Sequence, residues 1–125
     1  MSTYLILLID DDPVSNKFNS MIIQRNHPNI EIIALTGAME AIQYLKDLTR
    51  KPDLIFLDLN MPVMNGWDFM EEYHKLNLNI EIMIITSSED PKDMDKAENY
   101  NEIKGYVVKP ISKVALSTIF DRFSG

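Results

Sequence analysis

Asp53-Leu54-Ile55-Phe56-Leu57-Asp58-Leu59-Asn60-Met61-Pro62-Val63-Met64-Asn65-Gly66 is the stretch whose reading decides the fold. A short apolar run, Leu54 to Leu57, stops at one acid, Asp58, and breaks into a loop marked by Asn60, Pro62 and Asn65-Gly66. Four apolar residues bounded by turn signals read as a fully buried strand of a parallel sheet. A carboxylate at the carboxyl end of such a strand stands where open α/β sheets place their ligands. A lone loop Asp is more often a cap or turn residue. Asp58 is not alone.

Working outward, the same pattern recurs on both sides. Tyr4 to Ile9 reads as a buried strand and runs into Asp10-Asp11-Asp12. Asp12-Pro13 starts a helix, Asp accepting from free amides and Pro suiting the first helical position. Val14, Phe18, Met21, Ile22 and Arg25 follow at helical spacing. Ile30 to Leu35 is a further strand, and Thr36-Gly37 opens a helix with the apolar stripe Ala38, Ala41, Ile42, Leu45 and Leu48. After Gly66 a third helix carries Phe69, Met70, Tyr73 and Leu76.

Glu81 to Ile85 is the fourth strand, ending in Thr86-Ser87-Ser88, and Asp90-Pro91 repeats the helix start. That fourth helix has only Met94, Ala97 and Tyr100 as apolar anchors and is expected to be weakly held. Ile103 to Val108 is the fifth strand, ending in Lys109-Pro110. Ser112 caps a last helix with Leu116, Ile119, Phe120 and Phe123. Five strands alternating with five helices imply an α/β fold: a doubly wound, five-stranded parallel sheet with right-handed crossovers.

Composition bounds the function. The 125 residues suit one domain, with 46% hydrophobic and 25% charged residues. A formal charge of −7 argues against nucleic-acid binding, which needs a basic face. The Tyr4 to Ile9 run is too short to span a bilayer and leads into three acids, so no membrane segment is expected. With no cysteine there is neither a disulfide framework nor a thiolate site, which fits a cytoplasmic protein. No linker or repeat divides residues 1–125, so a single domain without an output domain is expected.

Four strands end in a group with chemistry: Asp10-Asp11, Asp58, Thr86 and Lys109. In a parallel sheet all carboxyl ends lie along one edge, so these groups converge. Two carboxylates about 4 Å apart repel by roughly 4 kcal/mol at an effective dielectric near 20. Such a cluster calls for a shared proton or a cation. Oxygen ligands without His or Cys suit a hard ion, Mg²⁺ or its substitute Mn²⁺. Acids, a hard metal, a lysine and a hydroxyl make a site for a phosphoryl group, with one acid as nucleophile. Taken singly, Asp10 to Asp12 could be a capping cluster and Lys109 a strand-end ion pair. Tyr106 alone is an ordinary half-buried strand aromatic, Trp67 a packing residue, and His27 and His74 isolated side chains.

The motifs Leu8-Ile9-Asp10-Asp11-Asp12-Pro13, Asp58 to Gly66, Ile84-Ile85-Thr86-Ser87 and Gly105-Tyr106-Val107-Val108-Lys109-Pro110 resemble the receiver domain of the two-component response-regulator family over essentially the whole chain. The resemblance implies a flavodoxin-like sheet of order 2-1-3-4-5. It makes Asp58 the phosphoacceptor, taking a phosphoryl group from the phosphohistidine of a sensor histidine kinase or histidine phosphotransfer protein. Asp10, Asp11, Asp58 and the backbone carbonyl of Asn60 would hold Mg²⁺, and Asp12 is better explained as a helix cap. Lys109 would pair with phosphoryl oxygens, and Thr86 and Tyr106 would form the switch. Asn60 and Ser88, two beyond the phosphoacceptor and the Thr, would tune dephosphorylation. A downstream protein would read the face formed by the fourth helix, fifth strand and fifth helix.

Such a protein is a phosphorylation switch that catalyses only its own phosphorylation and dephosphorylation. A phosphorelay shuttle is the variant reading. A Mg²⁺-dependent aspartyl-nucleophile phosphatase of the haloacid-dehalogenase type is less well supported. It would want an acid where Asn60 stands, and a cap domain for which the chain has no room.

Overall fold

Leu54–Leu57 forms β3, and every residue of it is buried, as the unbroken apolar run requires. The structure, a computed structural model, describes residues 4–121. In chain order the elements are β1 (Tyr4–Ile9), α1 (Pro13–Asn26), β2 (Ile30–Leu35), α2 (Ala38–Lys46), β3, α3 (Gly66–His74), β4 (Glu81–Thr86), α4 (Pro91–Ala97), β5 (Ile103–Val108) and α5 (Lys113–Asp121). All strand pairs are parallel, in the order β2-β1-β3-β4-β5. The flavodoxin-like order expected from the motifs is the order observed.

Alternate side chains of the central strands feed two cores. Leu7, Ile9, Ile55, Leu57, Ile82 and Ile84 pack under α2 and α3 with Ile42, Leu45, Phe69, Met70 and Tyr73. Ile6, Leu8, Leu54, Phe56, Met83 and Ile85 pack on the other face with Ile23, Leu116, Ile119 and Phe120 from α1 and α5. Fully burying one such side chain contributes roughly 1.5–3 kcal/mol, so these two layers hold the sheet that positions the site. Leu48 and Leu76, expected within helical stripes, lie just beyond the ends of α2 and α3 but still pack on the core. Phe123 falls outside the described residues.

Helix starts follow the local chemistry. Asp12, Asn65 and Asp90 each accept from a backbone amide of the first turn, and Asn65 with Asp68 forms a reciprocal capping box. Ser112 likewise accepts from Ala115 N at 3.0 Å. α1 departs from its apolar spacing. Val14, Phe18 and Met21 are 74%, 43% and 46% exposed, while Asn16, Asn19 and Ile23 face inward. The inward position of Asn16 has a reason: its Nδ2 donates to the carbonyl of Asp10 at 2.9 Å, tying the helix to the strand end.

The strand order reverses between β1 and β3, which leaves a crevice outside their carboxyl ends. Ile9 pairs with Leu57, so Asp10 and Asp58 leave the sheet side by side.

Candidate functional site

Backbone bonds fix the strand ends before any side chain is considered. Asp58 N donates to Ile9 O at 2.9 Å, Asp10 N to Leu35 O at 3.1 Å, and Lys109 N to Thr86 O at 2.8 Å. Gly66 N donates to Leu59 O at 3.0 Å and folds the loop after Asp58 back on itself. Only glycine fits there: a Cβ at Gly66 would stand 2.8 Å from both Asp58 O and Leu59 Cα.

On this frame the acids gather. One carboxylate oxygen from each of Asp10, Asp11 and Asp58 lies within 4.8 Å of the other two. Asp10 and Asp58 are buried, at 2% and 6% exposure, and Asp11 is half-buried. The Lys109 ammonium bridges the buried pair, 2.5 Å from Asp10 Oδ2 and 3.3 Å from Asp58 Oδ2. Asp10 Oδ1 also accepts from Asp12 N at 3.0 Å, and Asp58 Oδ1 from Asn60 N at 3.3 Å.

Burial pushes both carboxyls up, but the two end on opposite sides of the ordinary value. For Asp10, the hydrogen bond from Lys109 and those from Asp12 N and the Ser15 hydroxyl outweigh burial, so it is held below the usual range. For Asp58, burial and the charge of Asp10 outweigh the more distant ammonium and the Asn60 amide, so it is raised. Burial also opposes the Lys109 charge, yet its two acidic partners raise its pKa above the ordinary value. Asp10 and Lys109 form the committed ion pair. Asp58 is the carboxylate still short of positive charge.

Thr86 is fully buried at the end of β4. Its Oγ1 accepts from Asn60 Nδ2 at 3.3 Å and from Ser88 N at 3.3 Å, linking the Asp58 loop to the β4–α4 loop. Tyr106 does not reach the acids; its hydroxyl donates to Ser88 O at 2.9 Å. The structure therefore brings Asp10, Asp11, Asp58 and Lys109 into one cluster, with Asn60 and Thr86 beside it. Ser88 and Tyr106 form a second tier. Trp67 packs as expected, its ring stacked on Tyr100 with centroids 6.0 Å apart. His74 is not isolated, since its Nδ1 lies 2.7 Å from Glu102 Oε2.

Sequence reasoning did not single out Asn16, which donates to the Asp10 carbonyl, or Asp93, which accepts from Ser88 and Trp67. No spacing signal marks either one; their roles come from contacts between elements.

Oxygen donors alone, a surplus of negative charge and close spacing fit a small hard cation. An ammonium beside a carboxylate with a raised pKa fits an incoming anionic group. Residues 6–121 match the family of the response regulator receiver domain. The chain belongs to that family.

The probable C4-dicarboxylate response regulator DctR of Halalkalibacterium halodurans is 29% identical over 122 residues, covering 94% of this receiver and 52% of that protein. This receiver thus spans about half the length of the DctR relatives it matches. The two-component response regulator ORR12 of Oryza sativa is 28% identical over 123 residues, covering 97% of this chain and 98% of that one. Among solved structures, a two component response regulator from Cytophaga hutchinsonii superposes with a TM-score of 0.86 at 32% identity, covering 98% of this chain and 97% of that one. Receivers are phosphoacceptor switches of two-component signalling, phosphorylated by a kinase, and typically bind Mg²⁺ at an acidic site. Among the described residues, no helix is long and apolar enough to cross a membrane.

Proposed function

We propose that Asp58 accepts a phosphoryl group from a phosphohistidine of a sensor histidine kinase or histidine phosphotransfer protein, and that this switches a protein-interaction surface. The carrying observation is the arrangement around Asp58: it is buried at the end of the central strand, beside Lys109 and two further acids, with Thr86 behind. A carboxylate oxygen of Asp58 attacks phosphorus in line. The O–P bond forms as the P–N bond breaks, and the imidazole nitrogen leaves with the electron pair. The product is an acyl phosphate on Asp58.

Asp10, Asp11, Asp58 and the Asn60 carbonyl would hold Mg²⁺, which supplies positive charge to the phosphoryl oxygens. Lys109, already between Asp10 and Asp58, can release one carboxylate to pair with a phosphoryl oxygen. Phosphorylation adds about two negative charges at this edge. The Thr86 hydroxyl then turns toward them, and the Ser88 loop and the Tyr106 ring follow. Asn60 and Ser88, two beyond the phosphoacceptor and the Thr, would tune hydrolysis of the acyl phosphate.

The same chain supports output through the face of α4, β5 and α5. α4 buries one residue, Ala97, so it can shift at low cost.

Acetyl phosphate with Mg²⁺ should add one base-labile phosphate, read by intact-protein mass spectrometry. Undiminished labelling of Asp58→Asn would reject the assignment. Thr86→Ala should keep the labelling but blunt amide shift changes in residues 90–120 on adding beryllofluoride, an acyl-phosphate mimic. Onward transfer to a histidine phosphotransfer protein separates a relay shuttle from a terminal switch.

A further inference from the structure

Behind the phosphoacceptor pocket, a single carboxylate joins α4 both to α3 and to the β4–α4 loop. Asp93 of α4 accepts from the Ser88 hydroxyl at 2.7 Å through Oδ2 and from Trp67 Nε1 of α3 at 3.0 Å through Oδ1. Both are charge-assisted bonds, stronger than neutral ones. The Ser88 hydroxyl is occupied on its other side by Asp90 N at 3.2 Å. Ser88 N reaches Thr86 Oγ1, and Ser88 O receives the Tyr106 hydroxyl. Every polar group of Ser88 is therefore committed, and its side chain points at α4 rather than at Asp58.

Trp67 completes the tie. Its ring stacks on Tyr100 at an interplanar angle of 14°, and Lys96 Nζ lies 5.1 Å from its centroid. A cavity of about 390 Å³ is lined jointly by Trp67 and Asp93 and by Leu59, Asn60, Met61 and Asn65 of the phosphoacceptor loop. Of the apolar anchors expected on α4, Met94 is 40% exposed and only Ala97 is buried. Apolar packing therefore holds α4 weakly; Asp93 ties it to Trp67 of α3 and to Ser88 of the β4–α4 loop, and Lys96 lies over the Trp67 ring.

We propose that Asp93 and Trp67 form a latch that holds the β4–α4 loop in its resting position and opposes activation. The proposal rests on the phosphoacceptor reading of Asp58 for its regulatory sense. A Thr86 hydroxyl turning toward a phosphoryl group draws Ser88 with it. A displacement of roughly 1 Å takes a 2.7 Å O–H···O contact beyond hydrogen-bond range, so Ser88 and Asp93 part. Asp93 then keeps only its Trp67 bond, and the β4–α4 loop is released from α4. Asp93 is a positioning residue; it touches no reacting atom.

The chain's one tryptophan is Trp67, so its emission reports the latch directly. Two measurements on the purified full chain decide the matter. In the resting protein, without Mg²⁺ or beryllofluoride, Asp93→Ala should speed amide exchange across residues 87–98 several-fold and shift the Trp67 emission. In a beryllofluoride titration with Mg²⁺, Asp93→Ala should lower the half-saturating concentration by about fivefold or more, the ordinary lower bound of coupling between sites. Trp67→Phe, which keeps a ring and removes the N–H, should move the titration the same way by a smaller factor, followed by the Ser88 and Tyr106 amide shifts. It serves equally if Asp93→Ala fails to fold.

Unchanged resting exchange in either folded variant overturns the latch, whatever beryllofluoride does. An unchanged or raised half-saturating concentration overturns its opposition to activation. Absence of any beryllofluoride response in the wild type rejects the Asp58 reading and with it the regulatory role.

Discussion

Removing the Lys109 ammonium tests the electrostatic logic of the site most directly. In Lys109→Ala, Asp10 and Asp58 remain buried without the cation that bridges them. Their closest grouping puts carboxylate oxygens within 4.8 Å, which at an effective dielectric near 20 is a repulsion of about 3.5 kcal/mol. Breaking a buried ion pair by removing one partner costs roughly 3–5 kcal/mol in general. The Lys109 side chain is 22% exposed, so water can enter the vacated space, and the lower end, about 3 kcal/mol, applies. For a domain of this size that is a drop of roughly 10 °C in Tm near neutral pH. The loss should shrink as pH falls, because protonating Asp58 relieves the repulsion.

Two additions make the test specific. Mg²⁺ should restore more stability to Lys109→Ala than it adds to the wild type, since a second cation meets the same demand. The double variant Lys109→Ala/Asp58→Asn should recover much of the loss, the strong coupling expected of contacting charges. Calorimetric or circular-dichroism melts with EDTA and with Mg²⁺ supply all the values. A loss below about 1 kcal/mol, with equal Mg²⁺ increments in both proteins, would refute the claim that Lys109 compensates this acid pair.

The remaining predictions concern single positions. Burial raises the Asp58 carboxyl, aided by Asp10, so the folded state holds its proton more tightly than the unfolded state. Stability then falls as pH rises from the ordinary carboxylate range through the raised value, and Asp58→Asn should raise the metal-free Tm at pH 7 but not below the unfolded pKa. Asp11→Asn should weaken stabilisation by Mg²⁺ while Asp12→Asn, a change at the α1 cap, should not; isothermal titration resolves the two. Gly66→Ala forces a Cβ against the Asp58 and Leu59 backbone and should cost about 1–3 kcal/mol in urea unfolding and slow phosphorylation. Val63 is 97% exposed with φ 64°, a left-handed conformation that disfavours β-branched side chains, so Val63→Gly should stabilise by roughly 1 kcal/mol.

Much of this molecule is legible as sequence because its elements are short-range statements. Leu54 to Leu57 is apolar without interruption, which only a strand buried on both faces explains at that length. Asp12-Pro13 and Asp90-Pro91 announce helix starts through groups one or two residues apart. Strict alternation of strand and helix then forces a parallel sheet, and a parallel sheet puts Asp10, Asp58, Thr86 and Lys109 on one edge. The motifs carrying the family resemblance lie at those strand ends, so fold and candidate site were read together.

What the sequence could not decide depends on neighbours distant along the chain. The apolar spacing of α1 is helical, but its inward face carries Asn16, whose Nδ2 donates to the strand-end carbonyl of Asp10. Only the β1–β3 register, Ile9 against Leu57, decides that Asp10 and Asp58 share one ammonium and that Asp10 holds it closer. The opposite pKa directions of two chemically identical acids follow from that asymmetry. Likewise Trp67 and Asp93 stand 26 positions apart, and no local rule pairs an indole with a carboxylate at that separation. Periodicity and capping act within a few residues and are written in the chain; partner choice among buried polar groups is settled only when the sheet brings its elements together.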